Sequence, residues 1–209
     1  MKKGIILNLK RFKLLDYVTY NKIIIFIFAF FVFGILIGSL VLIKNVSFYN
    51  NVKIIFEKIL QKHLSDALLN KIIFCFLNYF IVLIVYYIFG TTMLGVALVP
   101  FTALWQGIFI GAIIAYVYSL YGLTGIAFNA IILIPPMAIF TVCCFFAAKY
   151  SINFSICIAR LTLPKYSNVN LNIAFKNYCQ KYIIFILIAI LCAFVEVFVN
   201  LFFLKFFNF

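Results

Sequence analysis

From Ile72 to Ala148 the chain runs for 77 residues without one Asp, Glu, Lys, Arg or His. A surface exposed to water cannot be built from such a run. A bilayer crossing takes roughly 20 apolar residues, so the run is long enough for about three. The rest of the chain has the same character. Its 209 residues are 68% apolar and 10% charged, where a soluble domain carries about a quarter charged residues. These features predict an all-α polytopic membrane protein.

The hydropathy pattern predicts five transmembrane spans, at about 23–43, 72–93, 96–120, 126–148 and 182–204. They form one membrane domain over 23–204, with a basic segment (1–22) before it and a short tail (205–209) after it. Lys2 and Lys3 precede only a short apolar patch, so the first long apolar run reads as an uncleaved anchor. The basic segment reads either as a helix lying on the inner leaflet or as a tail that only sets orientation.

Between the first two spans, residues 45–71 change character. Val52, Ile55, Phe56, Ile59, Leu60, His63 and Ala67 recur at helical spacing, with Lys53, Glu57, Lys58, Gln61 and Lys62 on the other face. This is an outer amphipathic helix, with Asn50 or Asn51 as its N-cap. It either covers the ends of neighbouring spans, the favoured reading, or binds a partner. His63 borders the apolar face and has no second ligand at metal-binding spacing. The fourth apolar run is interrupted by Pro135 and Pro136, which predicts a kink or a re-entrant half-helix there. Residues 149–181 carry five cations and no acid, and read as a cytoplasmic loop.

The net charge is +13. Nucleic acid is not the expected partner, because the cations flank apolar runs and do not line one stripe. With the N-terminus inside, eleven Lys and Arg lie on the inner side and six on the outer, as the inner-leaflet bias requires. The expected location is a bacterial cell membrane, with the N-terminus cytoplasmic. Of the six cysteines, four lie within apolar segments and none forms a CxxC pair. They read as small apolar space-fillers.

Few residues carry chemistry at depth. Glu196 is the only acid after Asp66, and no cation shares the spans with it. A buried acid costs roughly 2.5–3.5 kcal/mol at a helix centre, so it needs partners. Asn78, Gln106, Asn129 and the tyrosines are the candidates, and a polar clasp of Glu196, Gln106 and Asn78 is the expected arrangement. A proton- or ion-linked site is the other reading. Gly34 and Gly38, like Gly107 and Gly111, stand four apart, the spacing at which helix backbones approach closely. No paired carboxylates, HExxH, His–Cys pair or phosphate loop is present. The expectation is a non-enzyme that uses no cofactor or metal.

Several short stretches occur in a familiar order: FLNYF (76–80), FGTTMLG (89–95), WQGIFIG (105–111), YGLTG (121–125), LIPPM (133–137) and AFVEVFVN (193–200). In these the chain resembles the stage II sporulation protein M family of bacterial membrane proteins, over roughly residues 20–200. Family members tend to carry Asn-Gly and a later glycine in the third span, where this chain has Gln106, Gly107 and Gly111. The family's late glutamate matches Glu196. A Pro135-Pro136-Met137 step stands where relatives often have a polar residue after Leu-Pro.

The resemblance implies a scaffold in endospore engulfment, sited in the engulfing mother-cell membrane. Such a protein assembles and localises a peptidoglycan-degrading complex. Its partners would be the lipid bilayer and other membrane-anchored sporulation proteins, cell-wall hydrolases among them, with a homo-oligomer also compatible. The runner-up is a transporter or permease subunit using the broken fourth span and Glu196. A third reading is a small interaction subunit of an export complex.

Overall fold

The computed structural model describes residues 22–65, 67–161 and 171–203, and every element among them is helical. They are α1 (Lys22–Lys44), α2 (Val46–Ser65), α3 (Leu68–Gly90), α4 (Gly95–Phe128), a π turn (Asn129–Leu133), α5 (Ile134–Leu161) and α6 (Leu171–Phe203). The chain is an all-α polytopic membrane protein. The basic N-terminal segment up to residue 21 and the tail from residue 204 lie outside the described residues.

Four helical stretches are long and apolar enough to cross a bilayer: Lys22–Lys44, Leu68–Gly90, Gly95–Arg160 and Leu171–Phe203. The third has 66 residues. Laid straight it would measure roughly 100 Å, about three times the hydrocarbon thickness. It is not straight. At Gly122 the backbone turns to φ 55° and ψ −126°, the geometry of the first central residue of a type II′ turn, which favours glycine. Beyond it the chain folds back along α4. Asn129 Nδ2 donates to the carbonyl of Ile114 at 3.1 Å, Gln106 Nε2 reaches Cys144 Sγ at 3.7 Å, and Ser155 Oγ donates to the carbonyl of Thr92 at 2.7 Å. The stretch is therefore a helical hairpin with its reversal in the YGLTG segment.

The tandem prolines do not break the second limb of this hairpin. Proline lacks the N–H that would bond four residues back. The wider π turn just before them absorbs the loss, and the Ile134 N–H bonds to the carbonyl of Asn129, five residues earlier. Pro135 and Pro136 then occupy the first turn of α5, where a missing donor costs least. The backbone thus passes from the π turn into α5 without a break in helical structure.

Two boundaries differ from the sequence reading. Among the described residues, the segment 149–181 is helical: α5 continues to Leu161 and α6 begins at Leu171. Lys149, Arg160, Lys176 and Lys181 ride on these helix ends, and the Lys181 ammonium stands 5.8 Å from the centre of the Tyr150 ring. Four scattered cations had masked the helical periodicity. The amphipathic helix also starts earlier than expected, because Asn45 Oδ1 accepts the Phe48 N–H at 3.1 Å. The cap is Asn45, not Asn50 or Asn51.

Apolar side chains lie on the outside as well as the inside. Phe26, Phe33, Leu36, Trp105, Leu187 and Phe198 are all exposed, as lipid-facing residues should be. Hydrophobic burial gives little drive for helices to associate in lipid, so close packing must supply it. The core accordingly selects small residues: Ala103, Ala112, Ala147, Ala148, Ala189 and Ala193 are fully buried. One cluster joins α3, α4, α5 and α6 around Tyr86, Ala103 and Cys144. At the other end of the bundle, Val52 and Phe56 of α2 pack on Leu42, Tyr116 and Phe128. Thus α2 lies across the ends of α1 and the α4–α5 hairpin. The side chains of residues 60–66, His63 included, lie outside the described set.

Candidate functional site: polar contacts and close approaches within the bundle

α1 and α4 meet along a glycine seam. A Cβ on Gly34 would stand 3.1 Å from Gly107 Cα and overlap the carbonyl oxygen of Leu104, while one on Gly38 would overlap that of Ile108. In return, Cβ atoms on Gly107 and Gly111 would overlap the carbonyls of Phe31 and Ile35. Residue numbers rise together along both helices, so α1 and α4 run parallel. The structure brings the four sequence-predicted glycines into one interface, where only glycine permits such backbone contact.

Glu196 sits on α6, half-buried against α3. Its carboxyl is hydrogen-bonded by the Tyr79 phenol and the Cys75 thiol. Ala193 and Val197 flank it in a small cluster with Cys75. The three expected members of the polar clasp are not together. Gln106 accepts from the Tyr86 hydroxyl at 3.3 Å and reaches Cys144, which ties α4 to α3 and α5. Asn78 is exposed on the wall of a groove. Of the expected partners, the tyrosines supply one, Tyr79. The reason is helical phase: Cys75 and Tyr79 are four apart and face α6, whereas Asn78 is turned about 100° from Tyr79.

Sequence reasoning missed the densest polar node. Ser151 is fully buried. Its hydroxyl donates to the Tyr86 carbonyl at 2.9 Å and lies 2.5 Å from the Tyr182 hydroxyl and 3.2 Å from that of Tyr178. Tyr178 in turn donates to the Tyr87 carbonyl at 3.0 Å. One turn on, Ser155 caps the carbonyls of Thr92 and Met93. These hydroxyls satisfy carbonyls at the end of α3 that would otherwise face apolar surroundings. A signal was available: Ala147, Ser151 and Ser155 recur every four residues, as do Tyr178 and Tyr182. It was hidden because the segment read as a loop.

A family model described as stage II sporulation protein M matches residues 27–200. The chain belongs to that family. No curated protein and no solved structure matches significantly.

The stretches through which the chain resembles the stage II sporulation protein M family are the ones that make these contacts. FLNYF holds Tyr79, and AFVEVFVN holds its partner Glu196. WQGIFIG supplies Gln106 and half of the glycine seam. FGTTMLG supplies Gly90, where a Cβ would stand 2.8 Å from that of Ser151, and Gly95, where one would stand 3.0 Å from that of Ser155. YGLTG is the hairpin reversal and LIPPM the exit from the π turn. In this member of the family, the marked positions fix how helices meet.

Between α3 and α4, floored by α5, lies an open groove of about 470 Å³. Phe74, Asn78 and Val82 line one wall and Gln106, Phe109 and Ile110 the other, while Ile55, Lys58 and Ile59 of α2 close one end. Among the described residues, no three His, Cys, Asp or Glu side chains come together as a metal site.

Proposed function

We infer from membership of the stage II sporulation protein M family that this is a sporulation membrane protein. Within that, we propose that it is a non-enzymatic scaffold, which assembles and localises a peptidoglycan-degrading complex while one membrane engulfs another. The observation that carries this reading is the use of the polar groups. Glu196, Gln106, Ser151, Tyr178 and Tyr182 are each bonded to a neighbouring helix. Such bonds hold helices in fixed relation. A rigid bundle with an amphipathic helix laid across one end suits the holding of partners.

In this reading the chain crosses the bilayer five times, with the N-terminus in the mother-cell cytoplasm and α2 on the opposite side. The parallel course of α1 and α4 supports an odd number of crossings up to α4. A tag at residue 1 should resist a protease added outside intact cells, and cleavage of that tag would reverse the orientation. Affinity purification of the full chain from sporulating cells tests the role itself. Membrane-anchored cell-wall hydrolases should copurify, and cells lacking the chain should lose hydrolase focus at the engulfing membrane. An ATPase in their place, with hydrolase position unchanged, would overturn the scaffold reading.

A further inference from the structure

We propose that the groove between α3 and α4 is a binding site for one acyl chain of an anionic phospholipid, whose headgroup is held by Lys58. The inference is independent of the scaffold role. Three observations carry it.

The first is size and shape. The groove, of about 470 Å³, is drawn out along α3 from Phe74 to Val82, roughly 12 Å, and suits a thin flexible chain.

The second is the lining, which is graded along its length. Lys58 stands at the α2 end, Asn78 lies beyond it, and Val82, Phe109, Ile110 and Phe140 make most of the remaining walls and floor apolar, while Gln106 spends its amide on Tyr86 and Cys144. An anionic phospholipid has the same order of parts: a phosphate, then ester carbonyls, then hydrocarbon. The ammonium of Lys58 pairs with the phosphate. The Asn78 amide is exposed in the groove and can donate N–H to an ester carbonyl. Without such a partner an amide in hydrocarbon is costly.

The third is position. The groove opens to the side of the bundle, since Phe109 and Ile55 on its rim are 41% exposed. α2 is amphipathic and lies across the bundle end, so Lys58 sits at headgroup level while Gln106 lies at the depth of the chains. A lipid enters such a groove from the leaflet on the α2 side without leaving the bilayer.

The test uses the full chain in nanodiscs with a phosphatidylglycerol that carries a diazirine and an alkyne on one acyl chain. After photolysis, labelled peptides are mapped. Labelling should concentrate on Phe74–Val82 and Phe109–Ile113, above the exposed α6 residues Leu187 and Leu191. The corresponding phosphatidylcholine should label the groove less. Lys58→Gln should lower the preference for phosphatidylglycerol roughly fivefold, the effect of one cation near the surface. Ile110→Trp should fill the groove and remove its labelling while leaving Leu187 and Leu191 unchanged. Lys58 is exposed, so its variant remains informative should the tryptophan disturb folding. Uniform labelling of groove and α6 overturns the site. Equal labelling by both lipids, unaltered by Lys58→Gln, overturns the headgroup assignment. Groove labelling that disappears only when another protein copurifies marks a protein-docking face instead.

Discussion

Gly34 and Gly107 touch through their backbones: a Cβ built on either would lie 3.1 Å from the other's Cα. The approach is close because no side chain intervenes, and one turn later Gly38 lies against the Ile108 backbone and Gly111 against that of Ile35. Helices this close gain dispersion contacts along their full length, the main source of association in lipid.

Substitution of Gly34 or Gly107 by leucine should therefore separate α1 from α4. The atoms in the way are backbone carbonyls, which cannot move aside as a flexible side chain can. Overpacking typically costs about 1–3 kcal/mol, and the upper end is expected here. A thermal melt in detergent should show a clear fall in midpoint for Gly34→Leu and Gly107→Leu. Leu36→Ala, at an exposed position on the same helix, should change it little. A seam that tolerates both leucines would mean that α1 is held by other contacts.

The hairpin reversal offers a cleaner test of backbone strain. Nothing lies within 4 Å of the Cβ position at Gly122, so Gly122→Ala introduces no clash. It does place a side chain on a residue with φ 55° and ψ −126°, a conformation that costs of order 1–3 kcal/mol for an L-residue. The variant should lose that much stability with all packing intact. Gly125→Ala would differ in cause, because its Cβ would meet the Val117 carbonyl. If Gly122→Ala melts like the parent, the turn adopts another conformation in lipid.

How much of this was legible beforehand depends on the kind of signal. The uncharged run, the amphipathic phase of Val52 and Phe56 and the four-residue glycine spacing all appear in a one-dimensional pattern, and the structure places them as such patterns suggest. Partner identity does not appear there. Asn78 and Tyr79 are adjacent in sequence but point about 100° apart on the helix, so only helix rotation decides which of them meets Glu196. Ser151 was invisible for another reason. Charged residues at 149, 160, 176 and 181 suggested a loop, although charges at helix ends that pass beyond the hydrocarbon are compatible with continued helix.

The Ser151 hydroxyl should prove worth more than a single hydrogen bond. It joins Tyr182 and Tyr178 on α6 to the Tyr86 carbonyl on α3. Ser151→Ala and Tyr182→Phe should each destabilise by about 1–2 kcal/mol. The double variant should cost less than the sum, since each single change already breaks the shared bond. Unfolding measured by a trapped-label assay in bicelles would give the coupling. Strict additivity would show that the two hydroxyls act separately.

Glu196 distinguishes structural from ion-linked use of a carboxyl in the membrane. The Tyr79 phenol and the Cys75 thiol on α3 are among its partners. An amide of the same length still accepts from a phenol, so Glu196→Gln should keep the bundle stable and the protein functional. Glu196→Leu leaves the Tyr79 hydroxyl without its acceptor and should lower stability by about 0.6–2 kcal/mol. Adding Tyr79→Phe to Glu196→Leu should recover part of that loss, because the orphaned hydroxyl is then gone. In sporulating cells, hydrolase localisation should follow the same order, with glutamine close to the parent and leucine impaired. A glutamine variant that folds normally yet fails in cells would show that the exchangeable proton of Glu196 is used, and the transporter reading would take precedence.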